Sequence, residues 1–205
     1  MKNILITGAT GNVGMALIKA LVELNNDFEI YAGIRDVEKD KLALSEFQLK
    51  TTHFDFNDIN TFKPALECCD ILFLLRPPQI SEVTKVFKPL IETAIQCAVK
   101  HIVFISVQGV EKSKIIPHYK IEKLIVESNI NYTFLRPAYF MQNFTTTLLK
   151  DLLLNKRIFL PAGKAKFTIV DITDIGKVAA KIISDTDNYV NKSYELTNHE
   201  KLSFG

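Results

Sequence analysis

The sequence contains few of the features that mark disulfide-rich or metal-binding proteins. Only three cysteines occur in its 205 residues: Cys68, Cys69 and Cys97. An odd number of cysteines, two of them adjacent, does not form a disulfide framework, and this spacing matches no zinc site. We therefore expect reduced thiols, as in a cytoplasmic protein, and no metal centre.

Long hydrophobic runs and a strong excess of one charge are also absent. Apolar runs such as those at 71–75 and 102–106 are strand-sized, far shorter than the ~20 residues of a membrane span. The amino-terminal MKNILITGATG lacks the long apolar region and cleavage site of a secretory signal. The formal net charge of +2 gives no reason to expect DNA or another polyanion. We expect a cytoplasmic protein with no nucleic-acid or membrane partner.

What the sequence does contain is an alternation of apolar, strand-like runs with helical patterns. Continuous apolar strands between helices predict a mostly parallel sheet with helices on both faces, and the length suits a single domain over residues 1–205. Pro89 predicts a kink or a boundary within its helix. The predicted strands are 3–7, 28–34, 51–54, 71–75, 101–106, 132–135, 167–170 and 193–196, and the predicted helices are 12–24, 38–47, 62–68, 82–99, 117–128, 139–154 and 172–184.

A glycine-rich loop, TGATGNVG at 7–14, joins the first predicted strand to the first predicted helix. In such a loop Gly8 permits the tight turn, Gly11 lets the backbone approach a pyrophosphate, and Gly14 lets the helix pack closely on the sheet. The positive end of the helix dipole then faces the anion. An ordinary glycine-rich turn is the weaker alternative. The predicted cofactor contacts in this loop are Gly8, Thr10, Gly11, Asn12, Val13 and Gly14.

The end of the second predicted strand distinguishes between dinucleotides. An acidic residue there would bind the ribose 2′-hydroxyl of NAD(H), whereas an arginine accommodates the 2′-phosphate of NADP(H). Arg35 stands there and predicts NADP(H), although pairing with Asp36 or solvent is an alternative role, and Asp36 leaves NAD(H) open. After the third strand, Asp55 is expected either at the adenine end of the cofactor or as a helix cap, and Asp58 is expected as a cap.

With these motifs the chain resembles the NmrA-like branch of the atypical short-chain dehydrogenases, close to bacterial NAD(P)H quinone reductase-like proteins. The motifs that carry the resemblance are TGATGNVG at 7–14, IRD at 34–36, DFND at 55–58, FLLRPP at 73–78, HIVFISVQGVEK at 101–112, YTFLRPAYFMQN at 132–143, IVDITDIGKVAA at 169–180 and YELT at 194–197. The resemblance implies a doubly wound Rossmann-type fold. It also implies a reduced carboxy-terminal substrate lobe, to which residues 137–205 contribute, because the family continues past the equivalent of Gly205.

The resemblance also places the nicotinamide near the ends of the fourth to sixth strands, in agreement with the rule that ligands bind at the carboxyl ends of parallel strands. Arg76 is expected to meet a cofactor phosphate or a substrate oxygen, with a solvated loop arginine as the alternative. Tyr139 and Phe140 are candidates for an aromatic wall beside a flat quinone, with ordinary packing under the loop as the alternative, which is favoured for Phe140. The further predicted cofactor contacts are Leu75, Arg76, Ser106 and Pro137.

Tyr119-x-x-x-Lys123 has the spacing of the acid–base pair of conventional short-chain dehydrogenases. On a helical wheel, however, these two side chains lie roughly opposite the buried stripe. The family alignment moves the expected pair onto Lys114 and His118, where neither catalytic side chain is present. His118 and Lys120 flank the stripe instead, and His118, with an unperturbed pKa near neutrality, is a candidate proton donor or merely a residue at the cleft edge.

The sequence leaves two functions open. The first is NADPH-dependent hydride transfer to a quinone or similar electron-poor molecule, with His118, Lys120 and Tyr139 as candidate catalytic residues. The alternative is a non-catalytic NADP(H)-binding redox sensor. Alcohol dehydrogenation and sugar epimerisation are disfavoured, because they need a base that takes a proton from a hydroxyl. The sequence leaves a homodimer as an open alternative to a monomer.

Overall fold

The structure is a computed structural model that describes residues 2–24, 28–47, 49–158, 163 and 165–203. The strands are β1 (Lys2–Ile6), β2 (Phe28–Ile34), β3 (Lys50–His53), β4 (Ile71–Leu75), β5 (His101–Ile105), β6 (Asn131–Pro137), β7 (Tyr139–Phe140), β8 (Ile169–Val170) and β9 (Lys192–Leu196). The helices are α1 (Asn12–Glu23), α2 (Val37–Ala43), α3 (Phe62–Leu66), α4 (Val83–Gln96), α5 (Pro117–Glu127), α6 (Leu149–Asn155) and α7 (Ile172–Ser184).

A seven-stranded sheet forms the centre of the fold, with the strand order β3-β2-β1-β4-β5-β6-β9. Every neighbouring pair in it is parallel. The first three strands run outward from β1 in one direction, and the chain then returns to the other side of β1 at β4. This reversal is the topological switch point at which dinucleotides bind in Rossmann-type folds. The predicted fold class is therefore confirmed.

Helices cover both faces of the sheet, as the continuous apolar strands predict. Along β1, Ile4 and Ile6 point into a core shared with α1 and α7, whereas Leu5 points into a second core shared with α3, α4 and α5. Helices α1 and α7 lie close together at Gly176, where an added Cβ would sit 2.6 Å from the Ala16 carbonyl oxygen. This pair of helices supports the glycine loop from one face.

The predicted helix at 139–154 is wrong. Tyr139 and Phe140 form strand β7, which pairs with β8, a short 3-10 turn follows at Met141–Phe144, and only then does α6 begin. Long-range hydrogen bonds account for the difference, because the Tyr139 amide donates to the Thr168 carbonyl, at 3.2 Å, instead of a carbonyl within a helix. The side-chain oxygen of Gln142 also accepts from the Ile172 amide at 3.1 Å, which ties the turn to α7.

Pro89 does not divide its helix, because α4 runs without a break from Val83 to Gln96. Buried side chains lie on both sides of the proline, among them Phe87 and Leu90, which are fully buried. The packing of this continuous apolar stripe outweighs the loss of one backbone hydrogen bond. No helix in the described ranges is long and apolar enough to cross a membrane.

Candidate functional site

The glycine loop forms a tight turn between β1 and α1. Gly8 has φ +62°, a conformation that favours glycine, and its carbonyl accepts a hydrogen bond from the Gly11 amide at 2.9 Å. A Cβ added at Gly14 would lie 2.8 Å from the Ala9 Cα, so only glycine lets α1 start this close to the loop. Gly11 is the N-cap residue of α1, and no side chain of the described residues caps this helix with a hydrogen bond. The first-turn amides of α1 are therefore available to an anion.

Thr7 holds the loop to the neighbouring half of the sheet. Its buried hydroxyl donates to the Phe73 carbonyl at 3.2 Å and accepts from the Leu75 amide at 2.9 Å. Leu75 in turn packs against Gly8, since a Cβ added there would lie 3.3 Å from the Leu75 side chain. The structure thus places Leu75 beside the loop, at the switch point.

A cleft of about 330 Å³ opens above the carboxyl ends of β1, β2 and β3, and we call it the glycine-loop cleft. It brings together four of the predicted cofactor contacts, Gly8, Thr10, Arg35 and Asp55. Its lining residues are Gly8, Thr10, Gly33, Arg35, Asp40, Phe54, Asp55, Phe56, Asn57, Pro77, Gln79 and Ile80. Of the other loop residues, Val13 is buried in the core, and Asn12 borders a separate groove of about 410 Å³ between α1 and α7.

Asp40, which the sequence reasoning missed, organises the turn that carries Arg35. One of its carboxylate oxygens accepts from the backbone amides of Arg35 and Asp36, at 3.2 and 3.1 Å, and the other accepts from the Thr10 hydroxyl at 3.4 Å. Asp36 caps α2 by accepting from the Lys39 amide at 3.2 Å. With Asp36 engaged as a cap, the exposed Arg35 extends from a turn that is tied to the glycine loop.

The two aspartates after β3 have different partners. Asp58 accepts from the Asn60 amide at 3.0 Å and caps the 3-10 turn Ile59–Thr61, as predicted. Asp55 lies in the glycine-loop cleft, and its carboxylate accepts from the Asn57 amide at 2.9 Å. Asp55 therefore stabilises its own loop, and its contact with the adenine end of a cofactor stays a prediction.

Arg76 and His118 meet beyond the end of β4. The Nη1 of Arg76 donates to three carbonyls of its own loop, those of Pro77, Pro78 and Ile80, at 3.1, 3.2 and 2.8 Å. Its Nε donates to the Nε2 of His118, on the first turn of α5, at 3.5 Å. The guanidinium is thus held at several points, unlike a solvated loop arginine.

Burial, and secondarily the charge of Arg76, lowers the pKa of His118 to about 4. The imidazole is therefore neutral at neutral pH. Its Nε2 accepts the hydrogen bond from Arg76, so hydrogen-bond geometry assigns its proton to Nδ1. The structure does not give His118 the near-neutral pKa on which its role as a proton donor was based.

The position of α5 is fixed by a buried ion pair that the sequence reasoning did not identify. Glu122, 7% exposed, accepts from the Nε and Nη2 of Arg136 at 3.1 and 2.8 Å, in the bidentate geometry of strong carboxylate–arginine pairs. These bonds raise the pKa of Arg136. His118 lies four residues before Glu122 on the same helix, so the two side chains share one face. The Glu122–Arg136 pair therefore also orients His118 toward Arg76.

The remaining predicted site residues lie at the ends of β5 and β6 and on α5. The Ser106 hydroxyl is buried and has no hydrogen-bond partner among the described residues, and Pro137 is buried at the end of β6. Tyr139 is half-buried and packs edge-to-face against Phe144, whose ring centroid lies 6.0 Å away. Lys120 is exposed. Their contacts with cofactor or acceptor stay predictions.

The comparisons with known proteins identify the family. The model of the NmrA-like family matches residues 1–204. The chain belongs to this family. It is 30% identical over 203 residues to prestalk A differentiation protein A of Dictyostelium discoideum. The matched region covers 98% of the chain and 66% of that protein. The chain thus spans slightly less than two thirds of the length of this relative.

Two solved structures superpose on almost all of the chain. The quinone oxidoreductase QOR2 of Escherichia coli in complex with NADPH has a TM-score of 0.85 at 25% identity, covering 98% of this chain and 71% of the other. The triphenylmethane reductase of Citrobacter sp. in complex with NADP(H) has a TM-score of 0.83 at 26% identity, covering 98% and 72%. The expected family, with its NADP(H)-dependent oxidoreductases, is thereby confirmed.

Proposed function

We propose that this chain is the cofactor-binding part of an NADPH-dependent reductase that transfers hydride to a quinone or a similar electron-poor small molecule. The observation that carries the proposal is the glycine-loop cleft, which joins the glycine turn and Arg35 at the switch point, while α1 begins directly after that turn. Two relatives with this fold were solved with NADPH or NADP(H).

The residues present fit a dinucleotide that carries a 2′-phosphate. The glycine turn and the first amides of α1 hold the pyrophosphate. Glycine is needed in this turn, because a side chain at Gly8 would be strained and one at Gly14 would overlap the loop. Arg35 binds the 2′-phosphate, while Asp40 fixes the turn through backbone amides and, in the described part of the chain, no hydrogen bond engages the Arg35 guanidinium. NAD(H) lacks this phosphate and is the weaker cofactor.

When bound, the reduced nicotinamide supplies a hydride. The chain orients the acceptor and excludes water at the ends of β4 to β6, where Leu75, Ser106 and Pro137 lie. Tyr139 and Lys120 are proposed to contact the acceptor, and residues 137–205 to contribute to its lobe. Because His118 is neutral, the final proton comes from water and not from an imidazolium ion.

A redox sensor that binds NADP(H) without turnover is the second candidate. The observation in its favour concerns α5, which carries no conventional acid–base pair. Lys123 is 64% exposed and pairs with Glu127 at 3.6 Å, and the pKa of His118 is lowered to about 4. Such a site would bind the cofactor and report its redox state to a partner.

NADPH binding and turnover, measured separately on the full chain, distinguish the two functions. Isothermal titration calorimetry gives the affinity for NADPH, and the loss of NADPH absorbance with a panel of quinones gives turnover. The reductase proposal expects NADPH binding and quinone-dependent oxidation. Binding without oxidation by any quinone would support the sensor, and absence of binding would contradict both functions.

A further inference from the structure

Arg76 is a partly buried cation that the protein holds in place without neutralising it. Its Nη1 and Nε make all the hydrogen bonds described for the side chain, to three backbone carbonyls and to His118. Within the described part of the chain, Nη2 has no acceptor and no carboxylate lies within ion-pair distance of the guanidinium. Two N–H donors therefore remain for a ligand.

Arg136 provides the contrast within the same molecule. It lies near the end of β6, where it donates two hydrogen bonds to Glu122 and pairs with the nearby Glu111, and these carboxylates neutralise it. Desolvation alone acts on Arg76 and lowers its pKa, whereas hydrogen bonding to Glu122 raises the pKa of Arg136. An incompletely solvated charge without a counter-ion is unfavourable, so the surroundings of Arg76 favour a ligand that brings an electron-rich oxygen.

A second polar group without a partner in the described part of the chain, the Ser106 hydroxyl, belongs to the residue that follows the neighbouring strand. Leu75 of β4 pairs with Ile105 of β5, so the next residues, Arg76 and Ser106, leave neighbouring strands at the same level. The buried Ser106 hydroxyl has no partner among the described residues. Two free donors at adjacent strand ends are what an oxygen ligand needs.

His118 is suited to hold Arg76 without cancelling its charge. A neutral imidazole accepts one hydrogen bond from Nε, whereas a carboxylate in the same place would form an ion pair. The His118 ring is supported by Phe104, with ring centroids 6.1 Å apart, and by the Glu122 anchor on the same helix. His118 is therefore a positioning residue in this scheme.

We propose that Arg76 is a specificity-determining residue that binds the acceptor oxygen on which negative charge develops, and so makes the site prefer quinones to cationic acceptors. This inference rests on the proposed reductase function. A quinone that accepts hydride from NADPH gains one proton and two electrons, NADP⁺ remains, and the hydroquinone monoanion then takes one proton from water. The fixed cation stabilises that anion.

A cationic acceptor behaves in the opposite way. When a triphenylmethane dye cation accepts hydride, a new C–H bond forms on its central carbon and the product is neutral. No negative charge develops for Arg76 to stabilise, and the free cation repels the dye before the reaction. A single residue thus distinguishes two acceptor classes.

The test compares Arg76→Met with a control, Lys123→Met, which removes an exposed lysine of α5. We expect Arg76→Met to lower kcat/KM for menadione roughly ten- to hundredfold, the range for loss of a charge-assisted hydrogen bond, without lowering that for crystal violet. NADPH affinity is expected to stay within about twofold, and Lys123→Met to change none of these values. An equal fall for both acceptors would overturn the proposal, and so would a tenfold loss of NADPH affinity, which would assign Arg76 to a cofactor phosphate.

A binding measurement without turnover separates this proposal from the reductase proposal. Menadione, a quinone without a charged substituent, is titrated by calorimetry into the protein saturated with NADP⁺, where no hydride is available. Tenfold weaker binding to Arg76→Met than to wild type would support the oxygen-binding role even if no quinone is reduced, and equal affinity, or no binding to wild type, would contradict it. We expect His118→Leu to raise KM for menadione. In His118→Gln, which keeps a hydrogen-bond acceptor near the Nε of Arg76, we expect KM to return to the wild-type value. Equal KM values in both variants would contradict the positioning role.

Discussion

At the scale of single residues, Arg35 is the side chain that decides between the two dinucleotides. We expect Arg35→Ala to weaken NADPH binding about 10- to 100-fold, because charge-assisted hydrogen bonds contribute about 1.5–3 kcal/mol, and to leave NADH binding unchanged. Calorimetric titration of both cofactors measures this difference. Lys41→Ala, on the exposed side of α2, is the matched control and should alter neither affinity. Equal losses for NADPH and NADH would show that Arg35 does not bind the 2′-phosphate.

A buried histidine, His101, and a half-buried one, His118, make the stability of the fold depend on pH. Burial is the main cause that lowers the pKa of His101 and of His118 to about 4. An unfolded histidine titrates near 6.5, so between about pH 6.5 and 4 the unfolded chain binds more protons than the folded one. The free energy of unfolding is therefore fully retained above pH 6.5 and falls as the pH drops toward 4.

We expect urea unfolding at pH 5 to show a free energy lower than at pH 7 by about 1–3 kcal/mol from the two histidines together. His118→Gln removes one titrating group and should reduce that difference. His53, which is exposed, provides the control, because His53→Gln should leave the difference unchanged. A difference that is the same in His118→Gln and wild type would contradict the low pKa of His118.

At the scale of elements, the Glu122–Arg136 pair joins α5 to β6. We expect Glu122→Leu to lower the free energy of unfolding by about 2–4 kcal/mol, somewhat less than for a fully buried pair, because Arg136 is 20% exposed and keeps Glu111 nearby. Glu127→Gln breaks an exposed pair on the same helix and should change stability by less than about 0.5 kcal/mol. Urea unfolding monitored by circular dichroism measures both. Equal effects of the two substitutions would show that the buried pair does not anchor α5.

An element could be predicted from the sequence where the interactions that stabilise it lie within the same segment. Helix α7 has the predicted bounds, Ile172–Ser184, because its apolar stripe and its Asp171 cap are both local. The segment at 139–154 was not predictable, since its amides bond to Thr168 and Gln142 bonds to Ile172, residues far along the chain. Local periodicity contains no information about these partners.

The same distinction applies to the candidate site. The glycine turn and Arg35 could be identified because their roles follow from position along a strand–turn–helix unit. The contact between Arg76 and His118 joins residues 42 positions apart, and the Glu122–Arg136 pair joins residues 14 apart on different elements. Spacing predicts neither contact, and the low pKa of His118 depends on burial, which only the packed fold supplies.

At the scale of the whole molecule, NADPH is expected to stabilise the entire fold, because the glycine-loop cleft is formed by several strands and loops at once. A ligand that binds only the folded state adds about 2.7 kcal/mol at 100 times its Kd. Thermal unfolding should therefore show a higher Tm with NADPH than with the same concentration of NADH. Arg35→Ala should remove the difference between the cofactors, and equal shifts in wild type would contradict the NADPH preference.

The strand order also has a consequence for the folding pathway. β1 is an interior strand of the sheet, yet its partner on one side, β4, begins far downstream, with Ile4 pairing to Ile71. Every neighbouring pair is parallel and must wait for a crossover before it can close, so the contact order is high. We expect refolding on a timescale of roughly milliseconds to seconds or slower. Until β4 arrives, one edge of β1 is unpaired, and in that interval the chain is most exposed to wrong strand pairing and to aggregation.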